Sequence, residues 1–252
     1  NFVYDQDQQT SRNGGYMAEK LEFLDGWLGD IFAEIDRLGI RDNTVVVLMA
    51  DNGIFNYYSP AQSGFMELIY RGGKSQHLEG GVRTDAFVRW PGVIEAGSAA
   101  GDIIHVSDLF TTFARIGGAT EFIPRDRVID GVDQTALFLE GEGNSRRDYV
   151  YVYEGPVLRS VVKQEFKMHL PPPGLPGAAA DVYNILRDPR EESPQIGIAL
   201  WSGASFQDMI KRHQKTIAKH PHLPLGTDVP YSGIENLRPE SELARKIFNS
   251  WQ

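Results

Sequence analysis

Six consecutive apolar residues, Val45-Val46-Val47-Leu48-Met49-Ala50, constrain this chain more than any other segment. A run dominated by β-branched side chains prefers a pleated, packed surface, and without polar alternation it reads as a strand buried on both faces, as in a parallel sheet. A helix precedes it. Met17, Leu21, Leu24, Leu28, Ile31, Ile35 and Leu38 recur at steps of three and four, which predicts one apolar helical face from about Tyr16 to Leu38, stopped by Gly39. Helix, short turn and buried strand together predict an α/β architecture.

The first segment suited to chemistry comes directly after the strand. Sites in open sheets form at the carboxyl ends of strands, and Asp51-Asn52-Gly53 stands at this one. A carboxylate beside an amide oxygen gives two hard ligands suited to calcium or magnesium, while Asn-Gly is equally a common turn dipeptide. The stretch up to about Arg83 reads as a long irregular loop, and long loops in compact domains are often functional. It contains Arg71-Gly72-Gly73-Lys74 and Glu79-Gly80-Gly81-Val82-Arg83. Paired glycines allow close backbone approach to an anion and the lysine adds a mobile positive charge, with a solvated basic loop as the plain alternative. The second glycine pair precedes another strand, Ala86 to Trp90, which suggests constrained backbone. A later helix is expected from Ser107-Asp108, with Ser107 as N-cap, to Gly117-Gly118.

The chain changes character near Arg146. Tyr149–Tyr153, Val157–Lys163, Phe166–Leu170 and Val182–Leu186 are short, aromatic and β-branched, which predicts an antiparallel sheet. Helices are expected near Phe206–Lys219 and Glu240–Trp251. The division falls at about residue 147, giving parts 1–147 and 148–252. The net charge of -9 argues against a broad nucleic-acid footprint. No stretch approaches the roughly 20 apolar residues of a membrane span. The absence of cysteine excludes disulfides and thiolate sites within this chain.

Taken in order, Asp51-Asn52-Gly53, Arg71-Gly-Gly-Lys74, Glu79-Gly-Gly-Val-Arg83 and Trp90-Pro-Gly92 resemble the motif series of the arylsulfatase family. The resemblance continues through Asp108-Leu-Phe-Thr111-Thr112, with Thr111 in place of a usual proline, Asp130-Gly131-Val-Asp133, and Val182-Tyr-Asn184 to Asp188-Pro189-Arg-Glu191. It implies an alkaline-phosphatase-like α/β fold, with part of a large mixed-sheet domain followed by a small C-terminal domain with an antiparallel sheet and helix. It further implies sulfate-ester hydrolysis, with Asp51 and Asn52 binding a divalent metal, usually calcium with magnesium as the alternative, and Lys74 contacting the substrate sulfate as a catalytic cation. His77 is a further candidate for substrate contact.

The family's formylglycine nucleophile arises within a Cys/Ser-x-Pro-x-Arg motif that this chain does not contain, so it is expected upstream of Asn1, in a longer protein of which these residues are a C-terminal portion. The expected substrate is a small-molecule or carbohydrate sulfate ester, and a bacterial periplasmic or secreted location is expected over the cytoplasm. A phosphonate or phosphodiester hydrolase of the same superfamily, or a non-catalytic binding module on the same scaffold, is the alternative. Lys167 and His169, at alternate strand positions, read as a solvated face, as do His213, His220 and His222 around a basic helix. His105 reads as structural.

Overall fold

The computed structural model describes residues 16–54, 69–174 and 179–222. Residues 1–209 form one compact unit and 210–252 a second. Helix α1 (Tyr16–Arg37) ends at Gly39, whose φ of 69° is the left-handed conformation that suits glycine after a helix. Strand β1 (Val46–Met49) follows a short 3-10 turn. It pairs antiparallel with β2 (Ala86–Arg89), Val46 opposite Arg89 and Met49 opposite Ala86. Among the described residues β1 has no parallel neighbour and all its residues are half-buried, so the expectation of a parallel strand covered on both faces is corrected here. A β-branched run encodes a preference for a pleated surface; it does not encode the direction of the neighbouring strand. The Arg89 guanidinium lies 4.7 Å from the Phe32 ring centroid and 3.9 Å from the Asp36 carboxylate, which ties β2 to α1.

Between the two strands the described residues include a short helix, α2 (Glu79–Val82), inside the stretch expected to be irregular. Helix α3 (Asp108–Ile116) starts and stops where its flanking residues suggest, with Gly118 at φ 68°. Ser107 is not its capping acceptor; it is already helical, and its hydroxyl meets His105 Nδ1 at 2.8 Å instead. The acceptor at this end is Asp108, which takes the His105 N–H. A short α4 (Thr135–Glu140) comes next.

The four-stranded antiparallel sheet runs β3 (Tyr149–Glu154), β4 (Val157–Lys163), β5 (Phe166–His169), β6 (Asp181–Asn184) in simple sequence order. It begins at Tyr149, just past the division read from the sequence. Its first hairpin turns through Gly155 at φ 56°. Val152, Val162, Tyr183 and Ile185 form a buried cluster on it, with Ile103 and Val150 packed alongside. Helix α5 (Ile196–Lys219) starts well before the expected Phe206. It is joined to the sheet by the Tyr151 hydroxyl donating to the Met209 carbonyl at 2.9 Å and by a Phe166–Trp201 edge contact. His213 is half-buried, and His220 and His222 are exposed. The helix expected near Glu240–Trp251 lies outside the described residues. Among those residues no helix is long and apolar enough to cross a membrane.

Candidate functional site

The three glycine-bearing segments form one knot of backbone. Gly53 donates its N–H to the Gly81 carbonyl at 3.0 Å, and a Cβ on Gly53 would stand 1.8 Å from the Gly80 carbonyl oxygen. Gly80 donates to the Arg71 carbonyl at 2.8 Å, and a Cβ there would lie 2.5 Å from that same oxygen. A Cβ on Gly81 would lie 2.2 Å from the Gln76 carbonyl oxygen. No side chain fits at these contacts, so the glycines serve backbone-to-backbone packing rather than mobility. The knot joins the two segments singled out for chemistry: the Lys74 N–H donates to the Ile54 carbonyl at 2.7 Å, directly beyond Asp51-Asn52-Gly53.

On this frame Asp51 is exposed at the end of β1 and Asn52 is half-buried, its Nδ2 donating to the Gly53 carbonyl at 2.8 Å. That bond uses the amide's donor side and leaves its oxygen as the chemically suited metal ligand. Calcium takes six to eight oxygens, so Asp51 and Asn52 fit it only as part of a ligand set. Among the described residues no group of three or more His, Cys, Asp or Glu side chains is placed to hold a metal. Lys74 is exposed, between Gly72 at φ 86° and Ser75 at φ 73°. Two left-handed residues within this short stretch, one of them a serine, mark a tightly defined loop.

His77 is held from the small sheet. Its backbone N–H and its Nδ1 both meet Glu154 Oε1, at 2.9 and 2.7 Å. Burial pushes its pKa below the usual histidine value; the Glu154 bond opposes this, and the His169 and Arg159 charges add to it. A neutral imidazole donating through Nδ1 keeps a basic Nε2. Burial pushes the Glu154 carboxyl up, but the His77 bonds and Arg159 outweigh it and hold it below the usual range.

Sequence reasoning missed the ionic centre behind the loop. Lys167, expected on a solvated face, is fully buried, its Nζ 2.9 Å from Glu79 Oε1 and 2.9 Å from Glu191 Oε1. His169, expected beside it in solvent, has a side chain only 13% exposed, with Nε2 2.7 Å from Glu191 Oε1. Glu191 Oε2 accepts the Glu79 N–H at 2.8 Å, and the Glu191 carbonyl accepts Arg71 Nη2 at 2.6 Å. Burial pushes the Glu191 carboxyl up; the His169 bond, the Lys167 charge and the Glu79 N–H overcome it and bring the pKa down to about 2. The His77 and His169 rings meet edge to face at 4.8 Å. Strand alternation placed Lys167 and His169 on one face correctly, but which face was covered depended on Glu79 and Glu191, 88 residues before Lys167 and 22 after His169. The available signal was two acidic residues, each inside a recognisable motif and neither with a role.

The remaining motifs assemble elsewhere. Asp108, fully buried, accepts the Val132 N–H at 2.8 Å on Oδ1, the His105 N–H at 2.9 Å on Oδ2, and Arg147 Nη2 at 2.6 Å on Oδ1. Burial raises its pKa, but Arg147 and the backbone donors outweigh that and lower it. Asp133 accepts the Thr135 N–H at 3.0 Å and sits 3.5 Å from Arg115 and 3.6 Å from Arg146. These residues fasten α3 to α4. His105, held by Ser107 and Asp108, belongs to this fastening, in keeping with its structural reading.

Comparison with known proteins agrees with the motif order. Residues 1–119 match the family model described as Sulfatase. The chain is 32% identical over 215 residues to steryl-sulfatase of Rattus norvegicus, covering 73% of this chain and 37% of that protein. It is 28% identical over 238 residues to N-acetylgalactosamine-6-sulfatase of the same species, covering 84% of this chain and 44% of the other. It thus spans less than half the length of the curated relatives it matches. Among solved structures, the PsFucS1 sulfatase of Pseudoalteromonas sp. superposes with a TM-score of 0.70 at 28% identity, covering 83% of this chain and 44% of that one. The α/β architecture is therefore that of the sulfatases. From its ordered glycine-rich motifs to its similarity along most of its length, the chain belongs to the sulfatase family.

Proposed function

We propose that the full-length protein hydrolyses sulfate esters, and that this chain supplies the wall of the active site carrying Lys74, Asp51 and Asn52. The observation that carries the reading is the glycine knot, which fixes the Lys74 loop to the Asp51–Gly53 turn through the Gly53–Gly81 and Lys74–Ile54 hydrogen bonds. A lysine on a loop whose backbone is tied to a carboxylate–amide turn suits an anionic substrate whose charge develops on sulfuryl oxygens during reaction. Lys74 would bind the sulfate and stabilise that charge. Asp51 and Asn52 would supply two oxygens to a calcium ion, with magnesium as the alternative, and the metal when bound would neutralise sulfate charge. The nucleophile, a formylglycine, would come from outside these 252 residues. His77, neutral and held by Glu154, would offer Nε2 to a polar group of the substrate.

The relatives' names point to a sterol and to an amino sugar, so a small-molecule or carbohydrate sulfate is the proposed substrate class. A periplasmic or secreted location and the division into 1–147 and 148–252 belong to the same proposal; the antiparallel sheet starting at Tyr149 supports the division. The test is turnover by the purified full-length protein of an aryl sulfate against an aryl phosphodiester and an aryl phosphonate. Preference for the sulfate is expected. Preference for a phosphorus ester would replace this reading with the related hydrolase, and no turnover of any ester would favour a binding module. The 252-residue chain alone should turn over none of them.

A further inference from the structure

The loop bearing Lys74 begins and ends on the same distant residue. At its start, Arg71 Nη2 donates to the Glu191 carbonyl at 2.6 Å; at its end, the Glu79 N–H donates to Glu191 Oε2 at 2.8 Å. Glu191 is 1% exposed and adopts φ 56°, a left-handed conformation that a glutamate seldom takes. That backbone turn lets one residue present both its carbonyl and its side chain to the loop. Its second carboxylate oxygen is fixed from behind by Lys167 at 2.9 Å and His169 at 2.7 Å. Both of these sit on β5, so the clamp is anchored to the four-stranded sheet rather than to another loop.

We infer that Glu191 is a positioning residue for the active site: by clamping both ends of the Arg71–Glu79 loop to the sheet, it sets where the Lys74 ammonium stands. This rests on the assignment of Lys74 to sulfate. Glu191 itself has its oxygens committed to protein donors and does not touch substrate. Its effect on the reaction passes through Lys74, so removing Glu191 should matter only while Lys74 is present. Loss of the clamp lets the loop shift, and a displacement near 1 Å at a reacting group can cost up to about 10²-fold in rate.

The test is a double-mutant cycle in the full-length protein, with Glu191→Gln and Lys74→Ala singly and together, reading kcat/KM on an aryl sulfate and the Kd of inorganic sulfate. Glu191→Gln alone should lower kcat/KM by about 10-fold to 10²-fold. In the Lys74→Ala background the same change should lower it less than about twofold, and sulfate affinity should follow the same pattern. Additive losses would overturn the positioning role and leave Lys74 in place. If Lys74→Ala alone leaves both quantities unchanged, the sulfate assignment and the positioning role fall together. Should Glu191→Gln fail to fold, Arg71→Lys, which loses the guanidinium contact to the Glu191 carbonyl at a half-buried position, enters the same cycle with the same expected non-additivity.

Discussion

Two buried carboxylates, Asp108 and Glu191, are built alike and used differently. Each has its oxygens filled by a cation, backbone N–H and a further side-chain donor, Gln134 for Asp108 and His169 for Glu191, and each is held ionised against the cost of burial. Around Asp108 the partners come from the residues flanking α3 and α4 and from Arg147, and the result is a closed joint. Around Glu191 the partners are the two ends of one loop and a strand behind it, and the loop so held carries an exposed lysine. The same electrostatic device makes a fastening in one place and a mount in the other. What separates them is whether the bonded backbone carries a charged group that solvent can reach.

The difference can be broken from the Asp108 side first. Asp108→Ala leaves Arg147, 9% exposed, without its carboxylate, along with the Val132 and His105 N–H groups. Stripping one partner from a buried ion pair costs about 3–5 kcal/mol, so urea denaturation should show a loss of that size. Gly53→Ala attacks the knot itself. With the new Cβ 1.8 Å from the Gly80 carbonyl oxygen, backbone must shift, and overpacking of this kind costs about 1–3 kcal/mol. Its stability loss should be accompanied by a fall in sulfate affinity, whereas Asp108→Ala should leave the affinity of the folded fraction unchanged.

Acid sharpens the contrast. The Glu191 carboxyl has a pKa of about 2 in the folded protein against an ordinary 4.5, so the unfolded chain binds its proton more readily. Its contribution is complete above pH 4.5 and drains away as pH falls towards 2. The wild-type Tm should therefore drop as the pH is lowered through that window, and the Tm of Glu191→Gln should drop less. The smallest effect belongs to Ser107→Ala. Its hydroxyl makes no capping bond to α3 and gives up only the His105 contact, so the change should cost about 0.5–1 kcal/mol. A loss of about 2 kcal/mol, the upper end for a lost helix cap, would show that Ser107 caps α3 after all.

Periodicity and punctuation carried much of the fold. The span of α1, the limits of β4 and the onset of the antiparallel sheet all come from local spacing and turn residues, which act within a few positions. The antiparallel pairing of β1 and the burial of Lys167 did not, because both depend on what lies opposite, and Glu79, a partner of Lys167, is 88 residues away in sequence. Asp51 and Asn52 stood out as candidates because a carboxylate–amide pair closes a strand, and Lys74 because it follows a glycine pair. Glu191 was legible only as part of a motif. A carboxylate's role is set by its donors, and those of Glu191 arrive from Glu79, Lys167 and His169 through tertiary contact.

If the glycine knot and its clamp serve to hold Lys74 against a sulfate, the lysine must matter to the reaction and not to the fold. That is measured by kcat/KM of full-length Lys74→Ala on an aryl sulfate, taken with its denaturation midpoint. Loss of one preorganised charge donor predicts a fall of roughly 10²-fold or more, with the midpoint essentially unmoved because Lys74 is exposed. An unchanged kcat/KM, or a fall matched by an equal loss of folded protein, would contradict this role for the knot.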